Sequence, residues 1–230
     1  MKKHTLYTAI GHFQRRTTAE GSYPVIMINS REYKADLQEM VIWTCLSWRL
    51  LSMEQLRSLY LQKLESLQLQ TPRSFEECLS RLVTRGLAAS GSGDTGYEAL
   101  YDLLAGLFVV PVSSSLLLRA LAFVKLTLRD HIPVSKARQL FQADKPSQEE
   151  RRVLALSKQA LLSTAELIKC VEAGIEDVSS DDKLLTALYD DMDTTSGNIM
   201  YLMRDKSSAQ GVVSAVANLY LRRQIIFQRV

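Results

Sequence analysis

The chain has 230 residues, of which 47% are hydrophobic and 23% are charged. This length suits one large domain or two small ones, and the composition is that of an ordinary globular protein. The net charge of +3, from 28 basic and 25 acidic residues, is too mild for a histone-like or polybasic nucleic-acid binder. Any contact with DNA must therefore be local.

The cysteines and the apolar segments indicate a cytoplasmic protein. Cys45, Cys78 and Cys170 are far apart, form no CxxC pair and lie on the apolar sides of helical patterns, which favours buried, reduced thiols. The first residues are too polar for a secretory signal. The longest apolar run, 103–118, is interrupted by glycine, proline and serines, so we expect no membrane association.

The first part of the chain is predicted to be an arm followed by short helices. Residues 1–35 are expected to form an N-terminal arm, with a possible strand at Tyr23–Asn29 because that segment is short and rich in apolar residues. A first helix is predicted from Asp36 to Leu50. Ser52 is expected to cap a second helix, with Gln55 at the position that completes a capping box.

A third helix and a Gly-rich segment complete the predicted N-terminal domain, residues 36–110. Ser74 is the expected N-cap of this helix and Gly86 its C-cap. Residues 87–101 then read as a strand, a turn at 91–96 and a second strand. Three helices followed by such a hairpin indicate a winged helix-turn-helix.

The remainder, residues 111–230, is predicted to be an all-α domain for dimerisation or sensing. The expected fold is therefore mainly α with a small β-hairpin wing, and no internal repeat is evident. The apolar face of the last helix either packs on its own domain or forms a homodimer seam, and both readings remain open. The predicted helices are 114–130, 134–141, 147–162, 164–174, 181–192 and 207–228.

The sequence RLVTRGL with the following Gly-rich segment resembles the bacterial winged helix regulators of the MarR and PadR groups, over residues 36–101. The resemblance implies that helix 74–85 is a recognition helix and that residues 87–101 form a wing. It places six residues near the DNA groove and two at the wing tip. The groove residues are Arg73, Ser74, Ser80, Arg81, Thr84 and Arg85, and the wing-tip residues are Asp94 and Thr95.

The leading functional hypothesis is a transcriptional regulator that binds double-stranded DNA, with a possible homodimer. The alternative is a winged-helix module that binds a protein and no DNA, which the acidic Glu76 and Glu77 and the uncharged wing favour. The chain contains no GxSxG, Walker or HExxH motif, and its three histidines lack metal-ligand spacing. We therefore expect no catalytic residues, no cofactor and no metal.

Overall fold

The computed structural model describes residues 3–18, 21–69, 72–112, 146–191 and 193–229. Of these described residues, about 48% are helical and 22% lie in strands, and the strands form three small antiparallel sheets. The fold is therefore α/β. The prediction of a mainly α protein with a single hairpin wing is wrong.

Helices and strands are mixed along both halves of the chain. The N-terminal elements are β1 (His4–Ala9), β2 (His12–Thr18), β3 (Gly21–Ile28), β4 (Arg31–Tyr33), α1 (Leu37–Leu46), β5 (Leu51–Ser52), α2 (Met53–Leu67), α3 (Phe75–Thr84), β6 (Ala88–Gly93) and α4 (Gly96–Leu104). The C-terminal elements are β7 (Phe108–Pro111), α5 (Gln148–Gln159), β8 (Leu162–Ser163), α6 (Thr164–Glu172), α7 (Asp181–Tyr189), α8 (Ile199–Leu202), α9 (Ala209–Leu221) and β9 (Ile225–Gln228).

The predicted helix starts are confirmed wherever a capping residue marked them. Ser52 caps α2 and forms a capping box with Gln55, and Ser74 caps α3 by accepting the Glu77 N–H. Ser147 caps α5 in the same manner as Ser52. These motifs act within four residues, which explains why the sequence alone located them. The predicted helices 114–130 and 134–141 lie outside the described residues.

The predicted wing at 87–101 is wrong. Residues 88–93 do form a strand, but its partner is β1, and the chain then enters α4, which Thr95 and Glu98 begin with a capping box. A Cβ atom added to Gly91 would lie 2.1 Å from the backbone nitrogen of Leu103. The glycines therefore allow a helix backbone to pack directly on the strand, and they do not form a hairpin turn.

Residues 4–33, for which the sequence predicted an arm with one strand, form four strands. β1 is the central strand of the first sheet, whose order is β5-β1-β6. The predicted strand 23–29 corresponds to β3, which pairs with β2 and β4 in a separate hairpin sheet. The N-terminal segment is thus part of the fold, because β1 supplies the backbone partner that both β5 and β6 need.

The prediction of an all-α second half is also wrong, since β7, β8 and β9 form a sheet with the order β8-β7-β9. The last predicted helix, 207–228, is divided into α9 and β9. Arg223 has a left-handed backbone with φ of 60°. This conformation ends α9, and the Gln224 N–H donates to the Leu219 carbonyl. The chain then leaves the helix as a strand.

The two halves contain the same structural unit, so the expectation of no internal repeat is wrong. The first unit comprises β1, α1, β5, α2, α3 and β6, and the second comprises β7, α5, β8, α6, α9 and β9. Leu6 pairs with Ser52 as Phe108 pairs with Ser163. The central strand pairs antiparallel with both neighbours in each sheet. The sequences LLSMEQL and LLSTAEL, at 50–56 and 161–167, occupy equivalent places.

One hydrophobic core extends through both units. It contains Trp43 and Leu82 of the first unit and Val216, Tyr220 and Phe227 of the second. The apolar face of α9 is therefore buried within its own chain, which decides between the two readings left open for the C-terminal helix. None of the helices within the described ranges is long and apolar enough to cross a membrane.

Candidate nucleic-acid interface

The first turn of α1 places a buried carboxylate next to α3. Asp36 caps α1 and accepts the Glu39 N–H at 2.9 Å, while Glu39 accepts the Asp36 N–H at 3.3 Å. Glu39 is only 1% exposed. A carboxylate this deeply buried needs cationic partners, because desolvation otherwise disfavours its charged form.

Three of the predicted DNA-contacting residues converge on that carboxylate, and we call Arg73, Arg81 and Arg85 the arginine cluster. Arg85 Nη1 donates a hydrogen bond to Glu39 Oε2 at 2.9 Å. Arg81 Nε lies 2.9 Å from Oε1 as an ion pair, and Arg73 Nη1 lies 3.8 Å from the same oxygen. The structure thus brings these residues together, but around an internal acid.

Asp36 adds a second carboxylate to the arginine cluster. Its side chain pairs with Arg73. Burial opposes ionisation of Asp36, but the hydrogen bonds from the Glu39 N–H and from Arg73 outweigh it and lower the pKa of Asp36. Asp36 is therefore negative at neutral pH, and the two carboxyl groups together pair with three guanidinium groups.

The remaining predicted groove residues differ in exposure and in hydrogen-bond partners. Ser80 and Thr84 are exposed, and their side chains make no hydrogen bond to the described part of the chain. The Ser74 hydroxyl accepts the Glu77 N–H at 3.2 Å, so its first role is to cap the helix. Arg81 keeps half of its side chain in solvent despite its ion pair with Glu39.

The two predicted wing-tip residues belong to the start of α4. The Thr95 hydroxyl accepts the Glu98 N–H at 3.1 Å, and the Asp94 N–H donates to Glu98 Oε2 at 2.8 Å. Both residues are exposed, but their local hydrogen bonds serve the helix start. They are not at the tip of a wing, and that assignment is wrong.

The second unit repeats the buried acid and one of its arginines. Glu150 completes the capping box of α5 with Ser147, is 2% exposed and lies 3.0 Å from Arg222 Nη1. Arg222 follows α9 as Arg85 follows α3, and each is the C-cap residue of its helix. The pair Glu150 and Arg222 is thus the equivalent of Glu39 and Arg85.

Sequence reasoning missed the exposed face of α9. Gln210, Ser214 and Asn218 recur every four residues and are all exposed, so they form one stripe along the helix. Their side chains make no hydrogen bond to the described residues. Glu149 lies beside the N-terminal end of this stripe, because its Cγ would be 3.8 Å from a Cβ on Gly211. The repeated LLS segments were the signal that could have revealed this second unit.

Comparison with protein-family models, with curated proteins and with solved structures gives no match to this chain. Within the described ranges, no group of three or more histidine, cysteine, aspartate or glutamate side chains is arranged to hold a metal ion.

Proposed function

We propose that the protein binds double-stranded DNA through the exposed faces of α3 and α9. The observation that carries this proposal is the duplication: the same three-helix unit occurs twice, and in each copy the third helix presents polar side chains to solvent. A helix of this kind fits the major groove, where polar side chains can reach base edges. Two such helices in one chain would contact two stretches of DNA.

The side chains on the two faces have the chemistry that base recognition requires. Arg81 can offer a guanidinium fork to guanine, and Ser80 and Thr84 can donate or accept hydrogen bonds. On α9, Gln210 and Asn218 carry amide groups, which suit adenine. A sequence-specific reader of this type fits a non-catalytic transcriptional regulator of the cytoplasm.

Glu39 would have a positioning role in this interface. It holds Arg85 and Arg81 by contacts of 2.9 Å. Because these side chains are already ordered, less conformational entropy is lost when DNA binds. It also cancels part of their charge. Few phosphate contacts are therefore expected, and the dependence of affinity on salt should be correspondingly shallow, at about 0.9 log units per phosphate contact.

Fluorescence anisotropy with duplex DNA tests this function. Duplexes selected from a random pool should bind saturably and more tightly at low than at moderate salt. Arg81→Ala and Asn218→Ala should each weaken binding by about 1–3 kcal/mol if they contact bases. Lys158→Ala, which removes an exposed charge from α5, is the matched control and should have little effect.

The second candidate function is protein binding without DNA. It is favoured by the acids Glu76 and Glu77 on α3 and by Phe13, Leu37 and Leu67, which are 53–62% exposed and line one cavity of about 370 Å³. Apolar side chains exposed together often mark a protein contact. Failure of every duplex to bind, even at low salt, would reject the DNA proposal and favour this one.

A further inference from the structure

A cavity of about 480 Å³ lies at the junction between the two units. Its lining comes from the first unit, through residues such as Trp48 and Lys63, and from the second unit, through Tyr220 and Arg223. This volume is within the range of small-molecule sites in proteins. A molecule bound there would touch both units at once.

Among the described residues, those that line the cavity include cations and no carboxylate. Arg49, Lys63 and Arg223 all contribute to its wall. Within the described part of the chain, Lys63 and Arg223 form no ion pair, and the Arg49 guanidinium donates only to the Cys45 carbonyl, at 3.3 Å. A concave surface with charges of one sign concentrates ligands of the opposite sign, so the cavity favours an anionic ligand.

The same cavity is also lined by aromatic rings. Trp48 and Tyr220 are neighbours, with ring centroids 5.5 Å apart, and Phe13 contributes a ring that is 53% exposed. Trp48 has a left-handed backbone, with φ of 60°, and its backbone N–H donates to the Tyr220 hydroxyl at 3.0 Å. Such a conformation is costly for a bulky residue and is typical of functional sites.

We propose that this cavity binds a mononucleotide. The base would lie against the rings of Phe13 and Trp48, with the buried Tyr220 packed on Trp48. The phosphate would be held by Arg49, Lys63 and Arg223. Planar bases stack on aromatic side chains, and guanidinium groups bind phosphate through paired hydrogen bonds. A phosphate dianion balances the charge of three cationic side chains better than a ligand with a single carboxylate would. The cavity also has room for a base, a sugar and a phosphate.

The test is a titration of the full chain with AMP, GMP, CMP and UMP, followed by the intrinsic fluorescence of Trp43 and Trp48. At least one nucleotide should change the fluorescence saturably and raise the melting temperature, because ligand binding to the native state stabilises it. The matching nucleoside and inorganic phosphate should each bind at least about tenfold more weakly, since each lacks one half of the recognised chemistry.

Substitutions in the cavity wall test whether the nucleotide binds there. Lys63→Gln and Arg49→Gln, both at exposed positions, should each weaken the nucleotide about tenfold, whereas Lys158→Gln should leave its affinity unchanged. If a single-stranded oligonucleotide competes with the nucleotide, the natural ligand of the cavity is a nucleotide within a strand rather than a free mononucleotide. Absence of saturable binding by all four nucleotides would overturn the proposal, and so would an affinity in Lys63→Gln and Arg49→Gln that equals that of the unsubstituted protein. Neither result would affect DNA binding by α3 and α9.

Discussion

Single residues show why exposed arginines are ambiguous in a sequence. The pattern of α3 correctly placed Arg81 and Arg85 outside the buried stripe, and both retain solvent exposure, at 50% and 33% of their side chains. It could not show that Glu39 lies between them, because a charged residue in the first turn of a helix is usually solvated. The burial of Glu39 depends on how α1 packs against α3, which is a tertiary property.

Removal of the Glu39 charge should destabilise the protein. Glu39→Gln would leave two close guanidinium groups without their counter-charge, and we expect a loss of about 2–4 kcal/mol in the free energy of unfolding. Urea denaturation measures this value. Glu77→Gln removes an exposed acid from α3 and should change it by less than about 0.5 kcal/mol. Equal effects of the two substitutions would show that Glu39 is not a structural charge.

The three thiols should be inert in the native protein. Cys45, Cys78 and Cys170 are buried and unpaired, as the sequence predicted. Burial, with a smaller effect of Glu166, raises the pKa of Cys170 to about 11, so this thiol stays protonated at neutral pH and lacks the reactive thiolate. Titration with a disulfide reagent at pH 8 should label none of the three until denaturant is added. Rapid labelling of the native protein would contradict their burial.

At the scale of elements, local signals were sufficient for helix starts and insufficient for strand partners. Capping residues such as Ser52, Ser74 and Ser147 mark helices through contacts three residues away. The partner of β6 is β1, whose paired residues lie 79 to 89 positions earlier in the chain and carry no local signal of that pairing. The Gly-rich segment 91–96 has the composition of a turn, and it could not by itself reveal that a helix packs on it.

The packing of α4 on β6 predicts a difference between two glycines of that segment. Gly91→Ala would place a Cβ atom 2.1 Å from the backbone of Leu103, so α4 must move, and we expect a loss of about 2–4 kcal/mol. Gly96→Ala meets no atom within 4 Å and should be neutral or stabilising by up to about 1 kcal/mol. Thermal and urea denaturation of both variants measure this difference. A hairpin turn at 91–96 would not produce this order.

For the whole molecule, the sequence carries only one short signal of the duplication, the repeated LLS segments. The equivalent segments LLSMEQL and LLSTAEL are 111 positions apart, whereas the two C-cap residues Arg85 and Arg222 are 137 apart. The units therefore contain insertions of different length, which removes any constant period from the sequence. Only half of the candidate interface could be predicted, for the same reason. The sequence identified α3 as a third helix with a polar face, whereas for α9 it left open packing on its own domain or a homodimer seam.

The shared core predicts that the two units unfold together. Both tryptophans, Trp43 and Trp48, belong to the first unit, while Glu150 is a buried acid of the second. Glu150→Gln should lower the free energy of unfolding by about 2–3 kcal/mol. Because one core joins the units, the transition followed by tryptophan fluorescence should shift as far as the one followed by circular dichroism. Repetition in a Trp48→Phe background removes the reporter that contacts Tyr220 directly. If Trp43 alone then reports an unshifted midpoint, the units are independent, and a ligand bound at their junction could not stabilise both.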